Sequence, residues 1–163
     1  MRCCGTGSAP PGCCSTNVGP RSAQRGSAVP PRERPAATRA RRRFASETLA
    51  AIRNGKILRI RAGTGAHRFI GIWAVVVDRR VFVRSWSVKA GGWYRTFLQE
   101  PRGAIQVAGR EIPVRAVVTR GVRLKGAVDR AYLEKYQTPG SIKYARDLGR
   151  AKSRATTTEL MPR

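Results

Sequence analysis

Apolar and polar residues alternate with a period of two along several short stretches of this chain, which is the mark of half-buried strands. From Val81 to Trp86 the residues Val81, Val83 and Ser85 face one way, and Phe82, Arg84 and Trp86 the other. Over Lys56 to Ala62 the alternation puts Leu58 and Ile60 on one face and Ile57, Arg59 and Arg61 on the other. Arg68 to Val77 is apolar on both faces, as a central strand would be. Asp78-Arg79-Arg80 is a tight link to the Val81 strand, so a hairpin is predicted there. A second hairpin joins Gly103–Ala108 to Glu111–Val118 across Gly109-Arg110, with Pro113 expected to push its second strand to an edge or a bulge. Ala155 to Met161 is β-prone through three threonines and is expected to rejoin the sheet.

The period changes elsewhere. Ser46 and Glu47 suit a helix start, Leu49 and Ile52 supply its apolar face, and Asn54-Gly55 ends it. Trp93, Tyr94, Phe97 and Leu98 share one side of a short helix that Pro101 stops. Lys125 to Gln137 reads as an amphipathic helix, and Thr138-Pro139 opens a further short one holding Ile142, Tyr144 and Leu148. The predicted class is α+β, mainly β: a six-stranded antiparallel barrel with a few short flanking helices.

Composition divides the chain. Residues 1–43 hold nine arginines against one acid, Glu33, and no aliphatic residue beyond alanine except Met1, Val18 and Val29. Such a segment cannot bury enough apolar surface to offset its ordering entropy, so a disordered tail over 1–43 and a folded domain over 44–163 are expected. The tail is rich in Arg and Ser, like a transit peptide, but has no secretory apolar core. All four cysteines (Cys3, Cys4, Cys13, Cys14) lie in it as adjacent pairs, a spacing that does not suit zinc. No metal site is expected, and the single histidine, His67, is read as a loop residue.

The whole chain carries 33 Lys and Arg against 9 Asp and Glu, a formal charge of +24. That balance favours anionic partners. The cations follow no stripe, however, and aromatic–basic interleaving is sparse, so nucleic acid bound through the basic tail is kept as a secondary reading. No apolar run approaches the roughly 18–20 residues of a membrane span, so a cytoplasmic protein without a membrane partner is expected.

The chemistry centres on Ser87-Val88-Lys89-Ala90-Gly91-Gly92, between the Val81 strand and the Trp93 helix. Loop N–H groups, a hydroxyl and an ammonium converging at a helix start make an anion cradle. The same residues also read as a plain glycine turn with a solvated lysine. Trp73, Trp86, Tyr94 and Phe97 are read as core or interface packing, whereas Trp93 sits where the glycine loop meets the helix and can face a ligand.

These residues carry a resemblance. Ser87-x-Lys89, the turn, the helix ending at Pro101 and the strand Ala104-Ile105-Gln106-Val107 resemble the phosphate-binding segment of the FMN-binding split barrels, which include pyridoxamine-phosphate-oxidase-like proteins. Gly91-Gly92-Trp93-Tyr94-Arg95 through Pro101-Arg102, with Val107-x-Gly109-Arg110 and Val114-Arg115-Ala116, is similar to deazaflavin-dependent nitroreductase-like members. The span from Phe44 to Arg163, with Arg84-Ser85 and Ala155-Thr156-Thr157-x-Glu159-Leu160-x-Pro162, looks most like a bacterial split-barrel family of unknown function. Glu100 stands where many relatives have Asn, and the Ser87–Pro101 spacing runs longer than in the oxidases.

The resemblance implies a split barrel, often a homodimer, holding FMN or a deazaflavin. Ser87 and Lys89 would meet its phosphate, helped by Arg59 or Arg61, while Trp93 and Tyr94 would line its ring. Arg84, Ser85, Gly92 and Arg95 complete the implied cofactor set. The function so implied is hydride transfer to or from a small molecule, in which the cofactor does the chemistry and no protein acid or base is demanded. A non-catalytic ligand-binding or dimerisation module on the same barrel is the alternative.

Overall fold

The computed structural model describes residues 42–163, so the disordered tail expected over 1–43, with its cysteine pairs, lies almost wholly outside the described residues. Those residues form an α+β fold: a nearly closed antiparallel sheet of seven strands with five helices. The strands are β1 (Leu58–Ala62), β2 (Ile70–Ile72), β3 (Ala74–Val77), β4 (Arg80–Val83), β5 (Arg102–Val107), β6 (Arg110–Val118) and β7 (Thr158–Pro162). The helices are α1 (Ser46–Asn54), α2 (Trp93–Gln99), α3 (Val122–Lys135), α4 (Ile142–Leu148) and α5 (Ala151–Ala155). The sheet order is β2-β1-β5-β6-β7-β4-β3, and every neighbouring pair is antiparallel.

The count of seven rather than six has one cause. The continuous apolar run expected as a central strand from Arg68 to Val77 is broken at Trp73, and its halves lie at opposite edges of the sheet. β2 pairs only with β1 and β3 only with β4, so a single residue joins the two edges. Exposed strand edges invite unwanted pairing, and a barrel removes them by closure. Here one bent strand supplies both edges.

Both predicted hairpins are present with the predicted partners. Asp78 (φ 49°) and Arg79 (φ 60°) make the β3–β4 turn, and Ala108 (φ 48°) and Gly109 (φ 76°) the β5–β6 turn; both differ from the expected Asp78-Arg79-Arg80 and Gly109-Arg110, because Arg80 and Arg110 pair with Val77 and Val107 in the ladders. Two consecutive left-handed residues match the twist of the flanking strands. Pro113 departs from expectation, since β6 is an interior strand between β5 and β7. Its carbonyl accepts from the Arg163 N–H, so its missing donor points to the β7 side, just where that strand runs out at Pro162. Ser46 departs too: it is the first helical residue, with Ala45 before it, and no side chain caps α1.

Alternation along the strands makes two cores. Leu58, Ile60, Val81, Val83, Ile105, Val114 and Leu160 point inward and pack with Leu49 and Ile52 of α1 and Phe97 of α2, which stop the barrel. Val75 and Phe82 point outward and are covered by Val128, Tyr132 and Tyr136, with Ala145 and Leu148 of α4. β3 and β4 are thereby buried on both faces, which is why their sequence is apolar throughout. Gly103 sets the position of α2: a Cβ there would lie 2.4 Å from the Arg61 carbonyl oxygen and 2.7 Å from the Phe97 ring. Only glycine allows the helix so close.

The break at Trp73 frees backbone groups from the ladder, and α3 satisfies them. Tyr132 Oη donates to the Trp73 carbonyl at 3.1 Å, and Lys135 Nζ donates to the Ala74 carbonyl at 2.8 Å and to the Ile52 carbonyl at 2.7 Å. Tyr136 Oη accepts from the Ala74 N–H at 3.2 Å and donates to the Lys56 carbonyl at 2.9 Å. The Tyr136 ring stacks on Trp73 with centroids 3.9 Å apart. Burial lowers the Lys135 ammonium to a pKa of about 8 and pushes the Tyr136 phenol up to about 12.

Tyr136→Phe removes that hydroxyl and is expected to cost about 1–3 kcal/mol in urea unfolding, because buried backbone groups lose their partner. The pH dependence follows from the raised pKa. Between the ordinary phenol value of 10 and about 12 the folded Tyr136 keeps its proton while the unfolded one loses it. Stability therefore falls as pH climbs through that window, and the variant loses that part of the slope.

Candidate functional site

The loop after β4 is held by its own serines. The Ser85 N–H donates to Thr156 Oγ1 at 2.8 Å, fixing the loop to the segment before β7. Ser85 Oγ donates to the Ser87 carbonyl at 2.6 Å, and Ser87 Oγ accepts from the Lys89 N–H at 3.2 Å. The Gly92 N–H donates to the Lys89 carbonyl at 3.2 Å, and Arg95 Nε to the Val88 carbonyl at 3.2 Å. Gly91 takes φ 73°, and nothing lies within 4 Å of the place a Cβ would occupy. The turn is thus preorganised and open on its Gly91 side. Ser87 keeps a proton to donate, and the Lys89 side chain is exposed with no ion pair among the described residues.

A cavity of about 220 Å³ opens beside this turn. Its floor is Ile60, Ala62 and Ile70, from the inward faces of β1 and β2. Its rim is His67 and Arg68 on one side and Gly91, Trp93 and Thr96 on the other. Gly92 ends the turn and precedes α2; its carbonyl accepts from the Thr96 N–H at 3.0 Å and Thr96 Oγ1 at 3.3 Å. Trp93 is held edge-on against Tyr94 and Phe97, each with centroids 6.1 Å away. An apolar floor, one indole wall and a guanidinium on the rim suit a planar ring that carries negative charge.

The residues expected at the site are only partly brought together. Trp93 and the Gly91–Gly92 turn are there, with Ser87 and Lys89 in the loop behind and Arg95 of α2 bonded to that loop through the Val88 carbonyl. Arg59 and Arg61 are not: Ile60 and Ala62 line the cavity, so alternation along β1 turns the two arginines to its opposite face. Arg59 is exposed, and Arg61 pairs with Glu111 and lies over the Phe69 ring at 4.7 Å. Tyr94 is half-buried against Trp93 and does not line the cavity.

Arg84 is the clearest correction. Its side chain is fully buried and every part of the guanidinium is used inside the fold. Nε donates to Thr157 Oγ1 at 3.0 Å, Nη1 to Asp129 Oδ1 at 2.5 Å and the Leu148 carbonyl at 3.0 Å, and Nη2 to the Lys125 carbonyl at 3.0 Å. It joins the end of β4 to α3, α4 and the approach to β7, with four of its five N–H donors spent inside the fold and the side chain wholly buried away from any phosphate. Ser85 likewise serves the backbone.

Sequence reasoning missed Arg68 and His67 as rim residues. Their signal lay in the β1–β2 pairing, Ile60 opposite Ile70, which folds the intervening loop back over the inward face. No group of three or more His, Cys, Asp or Glu side chains able to hold a metal occurs among the described residues. No helix among them is long and apolar enough to cross a membrane.

Fold and site together define a small antiparallel barrel with a preorganised cationic turn beside a ring-sized cavity. The chain belongs to a bacterial family described as uncharacterized proteins conserved in bacteria (DUF2255), whose profile matches residues 47–160. Among solved structures it is similar to the conserved hypothetical protein Rv2991 from Mycobacterium tuberculosis, at 12% identity and a TM-score of 0.46, over 76% of this chain and 82% of that one. No curated protein matches it.

The division between fold and site residues is testable. Arg84→Met is expected to lower stability by about 3–5 kcal/mol, since it leaves a carboxylate and two carbonyls short of a donor. Lys89→Ala is expected to stay within about 0.5 kcal/mol of the parent in the same urea titration.

Proposed function

We propose that the cavity beside the Ser87–Gly92 turn takes the ring of a phosphate-bearing redox cofactor, FMN or a deazaflavin, and that the protein is a hydride-transfer oxidoreductase of the split-barrel kind. The observation that carries this is the convergence of Trp93, Arg68 and open Gly91 backbone on one apolar-floored cavity. The chemistry of these residues fits the group. At about 220 Å³ the cavity is smaller than the roughly 300–1,000 Å³ of most ligand pockets, so it encloses a ring rather than a whole mononucleotide. The phosphate is then met outside it, where Lys89 and Ser87 of the turn offer an ammonium and a hydroxyl.

A bound flavin or deazaflavin supplies the hydride chemistry. This chain's own part is position and field. Trp93 offers a flat apolar face, Ile60, Ala62 and Ile70 exclude water, and Arg68 stabilises negative charge on a reduced ring. The small volume also favours a second reading, in which the same cavity holds a ligand that is never turned over.

Fluorescence titration of the protein with FMN and with a deazaflavin tests the proposal. Saturable quenching is expected for one of them, weakened by at least about tenfold in Trp93→Leu and in Arg68→Ala; flat traces for both cofactors remove it. Binding without turnover by any reductant would select the second reading.

A further inference from the structure

A second cavity lies on the other side of the Trp73 bend, and it has a different chemistry. It is open, about 440 Å³ in volume, and lined by Trp73, Trp86, Tyr144 and Asp147. The three rings stand nearly at right angles to one another. Trp73 and Trp86 are 5.4 Å apart at 67°, Trp73 and Tyr144 6.4 Å at 88°, and Trp86 and Tyr144 6.4 Å at 81°. Three steeply inclined aromatic rings make a corner rather than a stack, and Asp147 completes its lining.

From this geometry we propose that the Trp73–Trp86–Tyr144–Asp147 corner is a binding site for a quaternary ammonium group. The π-faces of aromatic rings attract cations, and a cage of them is selective for methylated ammonium. A primary ammonium needs acceptors for three N–H donors, and this corner offers one carboxylate. A quaternary ammonium has no N–H to satisfy, spreads its charge over methyl groups and is cheap to desolvate. Lys143 Nζ lies 5.0 Å from the Tyr144 ring centroid, a cation–π contact that a bound ammonium has to share or displace.

The site is built rather than incidental. Trp73 is clamped from behind by the stacked Tyr136, and Trp86 follows Ser85, whose N–H is tied to Thr156. Tyr144 and Asp147 are three residues apart on α4 and so share a face of that helix. Trp86 and Tyr144 remain 39% and 48% exposed, which is unusual for two large rings in contact and leaves their faces available. Asp147 pairs with the exposed Arg150 at 3.3 Å, a contact that a bound cation would displace at little cost. In a chain of net charge +24, retaining a carboxylate at this corner matters, because the long-range field opposes any cation.

The ammonium could be carried by a small molecule or by a trimethylated lysine side chain, and the experiment separates the two. The full chain is titrated by calorimetry and tryptophan fluorescence with choline, with its neutral isostere 3,3-dimethylbutan-1-ol, and with a trimethyl-lysine peptide beside its unmodified form. Choline or the methylated peptide is expected to bind at least about tenfold more tightly than its control. The tighter of the two identifies the source. Trp86→Ala at an exposed position and Asp147→Asn at a half-buried one, both checked for folding by circular dichroism, are each expected to weaken that binding by about tenfold, while cofactor quenching at Trp93 stays unchanged. Equal binding of the neutral isostere, or no response to choline or to the methylated peptide, overturns the proposal.

Discussion

One bend holds the barrel together. The sheet begins at β2 and ends at β3, and the only covalent link between those edges is Trp73. A strand broken in its middle leaves carbonyl and amide groups that the ladder no longer serves, and burying them unpaired would cost more than the closure gains. Tyr132 and Lys135 of α3, with Tyr136 just past its end, supply the missing partners. The barrel therefore depends on α3 as much as on its strands. Lys135 also reaches the last turn of α1 through the Ile52 carbonyl, so the same helix fixes the stopper at one end of the barrel.

Arg84 does the corresponding work at the other side of α3. Its guanidinium ties the end of β4 to Asp129, to the Lys125 and Leu148 carbonyls and to Thr157. Asp129 in turn pairs with Arg154 of α5 at 3.0 Å. With Arg84 tied to α3 and the Ser85 N–H to Thr156, the segment that follows β4 leaves the sheet in a fixed direction. Ser85 continues into the cationic turn beside the inner cavity, while Trp86 turns to the outer aromatic corner. The two cavities are thus consequences of one arrangement: the inner one faces the core of α1 and α2, the outer one the core of α3 and α4.

Much of this was legible in the residues. Period-two alternation predicted which side chains of β1 and β4 face inward, and both hairpins were found from their turn residues, the second one residue out of place because Arg110, read as turn, pairs with Val107. The bend at Trp73 was not legible, because an apolar run looks alike whether it crosses a sheet's middle or joins its edges. Nor was the role of Arg84, since an arginine on the outward face of a strand reads as solvated until a helix covers that face. At the site, Trp93 and the glycine turn could be found from local sequence. Arg68 and His67 could not, because only the β1–β2 register folds them over the cavity. The same register sends Arg59 and Arg61 to the far face of the strand.

The proposed entry point for a flavin-type ring is the barrel mouth between the β1–β2 loop and the start of α2. Amide NMR spectra of labelled protein, recorded with increasing FMN or deazaflavin, test it most directly. A ring bound there shifts resonances concentrated at residues 60–70 and 87–96, with α4 unmoved. Shifts centred on α4 and the Trp86 side of the fold, or none at saturating cofactor, would contradict it.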